Sequence, residues 1–410
     1  MTTTLHPSIV LERRHGARNY DPLPVVLSRG EDVWLRDTDG RRYLDMMSAY
    51  SAVSFGHANP VLVDALTRQA ATLAVTSRAF HTDTLGPFLE RVCRTTGLDR
   101  ALPMNTGAEA VETAIKAARK WAYAVKGVPA GRAEIVVAAG NFAGRTTTIV
   151  GFSSEPQYRD GFGPFAPGFR HVPYGDAPAL EAAIGPHTAA FLVEPVQGEA
   201  GIVVPPAGYL RAVREICTRR GILLICDEVQ TGLGRTGAPL CVQLDGVVPD
   251  AVTLGKALGG GLLPVSAFCA SAEVMAVFAP GDHGSTFGGN PLAAAVGSAA
   301  LDLLATGPHC ETARVEGAAL LEGLRSIRHP AIRDVRGKGL LIGVEIDPAF
   351  ASARAVCEAL LAEGVLSKDT HGTVLRFAPP LTVKREHVAM AVDALARALS
   401  RVEAHEPIAA

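Results

Sequence analysis

The chain has 410 residues, 48% of them hydrophobic and 20% charged, with 39 Lys+Arg against 41 Asp+Glu for a formal net charge of −2. That is enough apolar surface for one large or two ordinary cores, and it excludes a disordered, collagen-like or disulfide-stapled chain. The even charge offers no basic face for nucleic acid or an acidic membrane, no apolar run reaches spanning length, and the start lacks an apolar signal stretch. Seven cysteines, none in a C-x-x-C pair, suggest reduced thiols in a cytoplasmic protein and argue against a metal ribbon, so no metal site is expected.

Along the chain, VWLRDTDGRRYLDM in the first fifty residues reads as a short β-hairpin region. Residues 108–125 read as an amphipathic helix with Ala110, Ala114 and Ala117 on one face. Apolar runs follow at 134–139, 148–152, 189–195, 222–228, 251–256 and 265–270. Each is bounded by Gly, Pro or polar residues, as buried parallel strands are. Residues 208–220 read as a crossover helix between two of them. After Pro291 come helices at about 291–305 and 311–326, the strand GLLIGVEI, the helix ASARAVCEALLAEG, the strand TVLRFAP and a last helix, REHVAMAVDALARAL. The pattern predicts an α/β architecture with a mostly parallel sheet and a smaller α+β subdomain.

Four sites carry candidate chemistry. Gly232-Leu-Gly234-Arg-Thr-Gly237 matches the dinucleotide fingerprint, but Pro239 argues against a helix opening directly after it, so a mobile glycine loop beside an active site is the better reading. Asp227-Glu228 ends the most apolar strand, where open α/β sheets bind ligands. A carboxylate there could hold a cationic group, or serve as an N-cap or structural ion pair. Lys256 ends another apolar run and precedes a glycine cluster. A lysine usually points to solvent, but a desolvated one loses basicity and can form a Schiff base. Asn105-Thr106-Gly107-Ala108-Glu109 stands before a helix whose free N–H groups suit a phosphate, or simply an ordinary cap. Ser285 and Thr286, in a loop rich in hydroxyls and glycine, could serve a phosphate too. A phosphate cradle, an amine nucleophile and a buried carboxylate are the parts a pyridoxal phosphate enzyme needs, and Phe142 is available to cover the cofactor ring.

The blocks LPMNTGAEAVETAIKAARKW, AAGNFAGRT, YRDGFGPFAPGF, VEPVQGEAGIVVP, DEVQTGLGRTG, LGKAL, HGSTFGGNPL and THGTVLRFAPP resemble the class III (ω-) aminotransferases of pyridoxal phosphate fold type I, and within them the ornithine branch. The resemblance runs from about Gly16 to Pro380. It implies a large cofactor-binding domain at 51–296 and a small domain at 297–410 to which residues 1–50 contribute. By matching position, Lys256 would carry the cofactor aldehyde, Asp227 would face its ring nitrogen, Gln230 its phenolic oxygen and Phe142 its face. Thr106, Gly107, Ala108 and Ser285 would surround the phosphate. Thr286 would reach the phosphate of a neighbouring subunit, which makes a homodimer or larger assembly the expected partner state. Tyr20, Tyr50 and Arg145 would hold the α-groups of ornithine. Arg376 would bind the 2-oxoglutarate carboxylate and pair with Glu199 when ornithine is present.

The implied reaction moves the terminal amine of ornithine to 2-oxoglutarate, giving glutamate 5-semialdehyde and glutamate. N-acetylornithine, lysine and 4-aminobutyrate are the alternative donors. Tyr50 with Tyr20 favours a free α-amino group, since a pocket for 4-aminobutyrate suits an aliphatic residue there. Ser54-Phe55, Asp369 and Phe287 depart from the family pattern and are expected near the pocket or its rim.

Overall fold

The computed structural model describes residues 5–403. Its centre is a seven-stranded sheet in the order Arg100–Met104, Ser266–Ala270, Ala251–Leu254, Leu223–Asp227, Thr188–Val193, Glu134–Ala138, Phe169–Val172. Ser266–Ala270 runs antiparallel to both neighbours, and the remaining pairs are parallel. Thr188–Val193 and Leu223–Asp227 are buried along their whole length, because helices cover both faces of the sheet. Helix Gly107–Ala124 packs on one face with Ala110, Ala114 and Ala117 fully buried, and Tyr209–Arg220 makes the crossover into Leu223–Asp227. The loops that carry Gly107, Phe142, Glu194, Asp227 and Lys256 leave the carboxyl ends of these strands.

Two four-stranded sheets flank the centre. One joins Leu27–Glu31, Trp34–Asp37 and Arg42–Asp45 to Val365–Leu366 from far along the chain. The other is Ile332–Lys338, Leu341–Ile346, Val374–Phe377 and Lys368–Thr370. One apolar cluster takes Val33, Leu44 and Met46 from the chain start together with Leu320, Val344, Leu360 and Leu395.

Two expectations need correction. The run at 148–152 is not a strand: Thr147–Gly151 is a short helix. Its β-branched residues suggested a strand, but Thr146 caps it by accepting from the Ile149 amide, and Ile149 and Val150 plug into the core. Ser266–Ala270 is antiparallel, a direction that hydrophobicity alone does not encode. The expected hairpin at the chain start is present as Trp34–Asp37 and Arg42–Asp45, and Leu27–Glu31 adds a third strand to it. Among the described residues no helix is long and apolar enough to cross a membrane.

Candidate active site

Thr106 caps helix Gly107–Ala124 in a reciprocal box: its hydroxyl accepts from the Glu109 amide, and Glu109 Oε2 accepts from the Thr106 and Asn105 amides. The Thr106 hydroxyl is thus committed to the cap rather than to a ligand. The cap leaves the Gly107 and Ala108 amides at the positively charged helix end as the donors for an anion. A side chain at Gly107 would put its Cβ 2.9 Å from Val229 Cγ1, so only glycine lets the two loops meet here. Ser285 Oγ accepts from Asn105 Nδ2 at 2.9 Å, which puts it beside this helix start.

Asp227 sits on the floor, its Oδ1 held by the Val229 amide at 3.0 Å and the Thr253 hydroxyl at 2.9 Å. Burial raises its carboxyl above the ordinary value, an effect that those bonds and the nearby Lys256 only partly offset. Glu228, one residue on, points away: it accepts from the Val242 amide and the Thr231 hydroxyl and is structural. Lys256 is half-buried at the cavity wall, with its backbone in the left-handed region at φ 45°. Burial lowers its ammonium below the usual range against the upward pull of Glu199, Asp227 and Glu194. Together with Phe142, Glu194, Glu199 and Gln230, these groups line one cavity of about 200 Å³.

Glu194, which sequence reasoning passed over, braces two walls of that cavity. Its Oε1 accepts from the Phe142 amide at 2.9 Å and its Oε2 from the Gly198 amide at 3.3 Å. Burial, and the Asp227 charge beside it, push its carboxyl up to about 8. The available signal was its place just beyond a fully buried strand, the same logic that singled out Asp227.

Beside the cavity, joined to it through its lining residues Glu199 and Gln230, stands a second wall made differently. Arg376, on Val374–Phe377, pairs with Glu199 at 2.6 Å, and its guanidinium lies 4.6 Å from the Tyr50 ring centre. Burial alone would raise Glu199, but Arg376, Lys256 and the Gln230 amide outweigh it and hold the carboxyl below its ordinary value. Gln230 Nε2 reaches Glu199 Oε1 at 3.3 Å and the Tyr50 carbonyl at 3.5 Å, while its Oε1 is buried without a partner. Arg145 lies face-on to Tyr158, 3.6 Å from the ring centre, and 5.5 Å from that of Phe142. No ion pair is formed by Arg145 among the described residues, so its planar fork stays free for a carboxylate.

Tyr50 rides on an unusual backbone. Ser48, Ala49, Tyr50 and Ser51 have φ of 44°, 48°, 60° and 73°, a left-handed turn without a glycine. Each such residue costs roughly 1–2 kcal/mol, so the surroundings must over-determine the turn.

Of the expected residues, Thr106, Ser285, Tyr50, Arg145 and Arg376 do not line the cavity itself, and others are exposed. Tyr20 is 75% exposed in a stretch without regular structure, and Thr286 and Phe287 are exposed as well. The departures are not all at the rim: Phe55 is buried edge-on to His309 with ring centres 5.1 Å apart, and Ser54 is fully buried. The glycine loop at 232–237 is not a mobile surface loop, because it is buried around Arg235.

The aminotransferase class-III family profile matches residues 15–399. The ornithine aminotransferase of Bordetella pertussis is 55% identical over 390 residues, covering 95% of each chain. That of a Geobacillus species is 52% identical over 394 residues, 96% of this chain and 98% of the relative. Among solved structures, the ornithine aminotransferase of Toxoplasma gondii superposes with a TM-score of 0.96 at 42% identity, covering 98% of this chain and 97% of that one. The acetylornithine aminotransferase of Elizabethkingia anophelis gives 0.87 at 44% identity, covering 96% and 98%. With a match spanning nearly its whole length and a cavity that joins Lys256 to Asp227 at the ends of a mostly parallel sheet, the chain belongs to the class-III aminotransferases.

Proposed function

We propose that this enzyme transfers the terminal amine of L-ornithine to 2-oxoglutarate with pyridoxal phosphate, yielding glutamate 5-semialdehyde, which cyclises to pyrroline-5-carboxylate, and glutamate. The carrying observation is the Arg376–Glu199 pair standing over Tyr50 at the cavity that holds Lys256.

The residues fit the cofactor. The Gly107 and Ala108 amides suit its phosphate, with Ser285 beside them. Asp227, its carboxyl raised by burial, suits a protonated ring nitrogen. Gln230, its Oε1 packed against Gly198 without a hydrogen-bond partner, lines the cavity at the place suited to a phenolic oxygen. Phe142 offers the covering ring. When bound, pyridoxal phosphate supplies an aldehyde for the amine and a ring that accepts the electron pair left on the donor carbon.

The chain's own groups do the rest. Lys256 Nζ, made less basic by burial, takes the proton from the terminal carbon of the donor and returns one in the reverse half-reaction. Arg145, oriented by Tyr158, takes the α-carboxylate of ornithine, and Tyr50 faces the α-amino group. Glu199 neutralises Arg376 while ornithine occupies the pocket. When 2-oxoglutarate enters, its α-carboxylate displaces Glu199 from Arg376, so one pocket serves two substrates of different charge.

Thr286 would reach the phosphate in the neighbouring subunit of a homodimer, a role supported by its exposure away from its own cavity. Tyr20 would join the donor site from its exposed stretch. A cytoplasmic location is supported by seven free cysteines. The test is a donor screen with 2-oxoglutarate that detects pyrroline-5-carboxylate. Ornithine should outrun N-acetylornithine, lysine and 4-aminobutyrate, and a faster reaction with any of these would replace the reading.

A further inference from the structure

The glycine loop at 232–237 has no part in the chemistry above, yet it holds the largest fully buried polar side chain of the molecule. Arg235 is 0% exposed. Its Nη1 donates to the Leu340 carbonyl at 3.0 Å and the Pro379 carbonyl at 2.5 Å. Its Nη2 donates to Ser54 Oγ at 3.0 Å and Ser48 Oγ at 3.3 Å. Among the described residues no carboxylate forms an ion pair with it, and burial lowers its pKa to about 9, with Asp45 pulling the other way. A buried cation without a paired carboxylate is expensive, and a purely structural bolt could be built from apolar side chains.

Both serine hydroxyls are fully engaged by this arrangement. While accepting from Arg235, Ser48 donates to the Ala378 carbonyl at 2.6 Å and Ser54 donates to the Ser51 carbonyl at 3.1 Å. Serines 48 and 51 are the two ends of the left-handed turn. Asp45 Oδ1 closes the entry by accepting from the Met47 and Ser48 amides at 2.9 and 2.8 Å, and its Oδ2 meets His57 Nε2 at 2.7 Å. The turn is therefore gripped at both ends, and its free middle carries Ala49, exposed, and Tyr50, under Arg376. A turn relaxed to the right-handed region would leave by a different path and carry the Tyr50 ring off Arg376.

We propose that Arg235, through Ser48 and Ser54, is a positioning residue for donor selection: it locks the left-handed turn that sets the angle at which Tyr50 meets the donor. This rests on the reading that Tyr50 faces the α-amino group. Ser54 thereby gains a role as the hydroxyl that couples the loop after Asp227 to the donor wall.

The test compares kcat/KM for ornithine with that for 5-aminopentanoate, the same carbon chain without the α-amino group, on cofactor-loaded enzyme. Ser54→Ala should lower the ratio about tenfold and Arg235→Lys at least as far, chiefly by raising KM for ornithine, with KM for 2-oxoglutarate within about twofold. Ala49→Gly, which removes only an exposed methyl and eases the left-handed backbone, should lower the ratio while the melting temperature holds or rises. Combining Ser54→Ala with Tyr50→Ile should lower the ratio no further than Tyr50→Ile alone.

A loaded Ser54→Ala enzyme that melts earlier but keeps its ratio would overturn the proposal, since a merely structural bolt behaves that way. Should Arg235→Lys not fold, Ser54→Ala and Ala49→Gly decide the matter. If Tyr50→Ile by itself leaves the ratio unchanged, the failure lies in the reading of Tyr50, and the turn aims nothing at the donor.

Discussion

The two walls of the cavity are built by different means. On the cofactor side, Asp227, Lys256 and the Gly107 amides each leave the end of a neighbouring sheet strand or its following helix start, within a few residues of buried backbone. On the donor side, Tyr50 comes from a left-handed turn, Arg145 from a loop with its guanidinium resting on aromatic faces, and Arg376 from a separate sheet. The first wall is set by fold geometry and tolerates little variation. The second is assembled across the molecule, and its parts can be retuned one at a time. Chemistry sits on the rigid wall, and choice of substrate on the adjustable one.

The sharpest way to break this division is at Lys256. Lys256→Ala should reduce kcat by about 10⁴-fold or more, since it removes both the covalent anchor and the proton carrier. Borohydride treatment followed by mass spectrometry should then find no cofactor on the chain. Ordinary turnover in this variant would take the chemistry off the rigid wall altogether.

Glu199→Ala acts on the other wall and should be asymmetric. It leaves Arg376 as an uncompensated buried charge beside the carbon chain of ornithine, but not beside the carboxylate of 2-oxoglutarate. The ornithine half-reaction should lose about 10–100-fold in kcat/KM and the 2-oxoglutarate half-reaction about tenfold less, read by single-turnover absorbance. Equal losses in both would mean that Glu199 is a plain structural partner of Arg376.

These differences also explain what the sequence could and could not reveal. Asp227 and Lys256 were legible because each ends a short apolar run, and the run itself says where the strand ends. The helix 107–124 was legible from its alanine stripe and its cap. The donor wall had no local signal: the left-handed turn contains no glycine, so SAYS looks like any helix start. Arg235 hid inside a glycine motif that invited a nucleotide reading, and its partners lie far along the chain at Ser48, Leu340 and Pro379. Only the resemblance pointed to Tyr50, Arg145 and Arg376. The segment at 148–152 misled for a related reason, since β-branched residues say "buried" and the cap at Thr146 says "helix", and the cap prevails.

A smaller effect should come from Tyr158, which holds Arg145 by its face alone. Tyr158→Leu removes the stacking surface, and Tyr158→Phe keeps it. The first should raise KM for ornithine about three- to tenfold at nearly constant kcat, as the loss of a cation–π contact of about 1 kcal/mol implies. The second should restore it. If both variants behave alike, the hydroxyl rather than the ring is at work.

The last expected effect is on stability rather than turnover, at Glu194, which joins the Phe142 and Gly198 amides. A carboxyl at about 8 in the fold, against an ordinary 4.5, keeps its proton where the unfolded chain has lost it. The folded state therefore binds more protons across that window, and its stability falls as pH rises from about 4.5 to about 8. Cofactor-free wild type should accordingly lose stability between pH 5 and pH 8 in urea melts. Glu194→Gln carries no such proton, so its loss over the same interval should be smaller by about 3 kcal/mol, even though the amide cannot accept on both sides and starts from a lower stability. Parallel slopes in the two proteins would mean that Glu194 is ionised in the fold. The joint between the walls would then be a charged brace held by its two amides, and the proton uptake of the folded state would have to be sought in the raised carboxyls of Asp227 or Glu228.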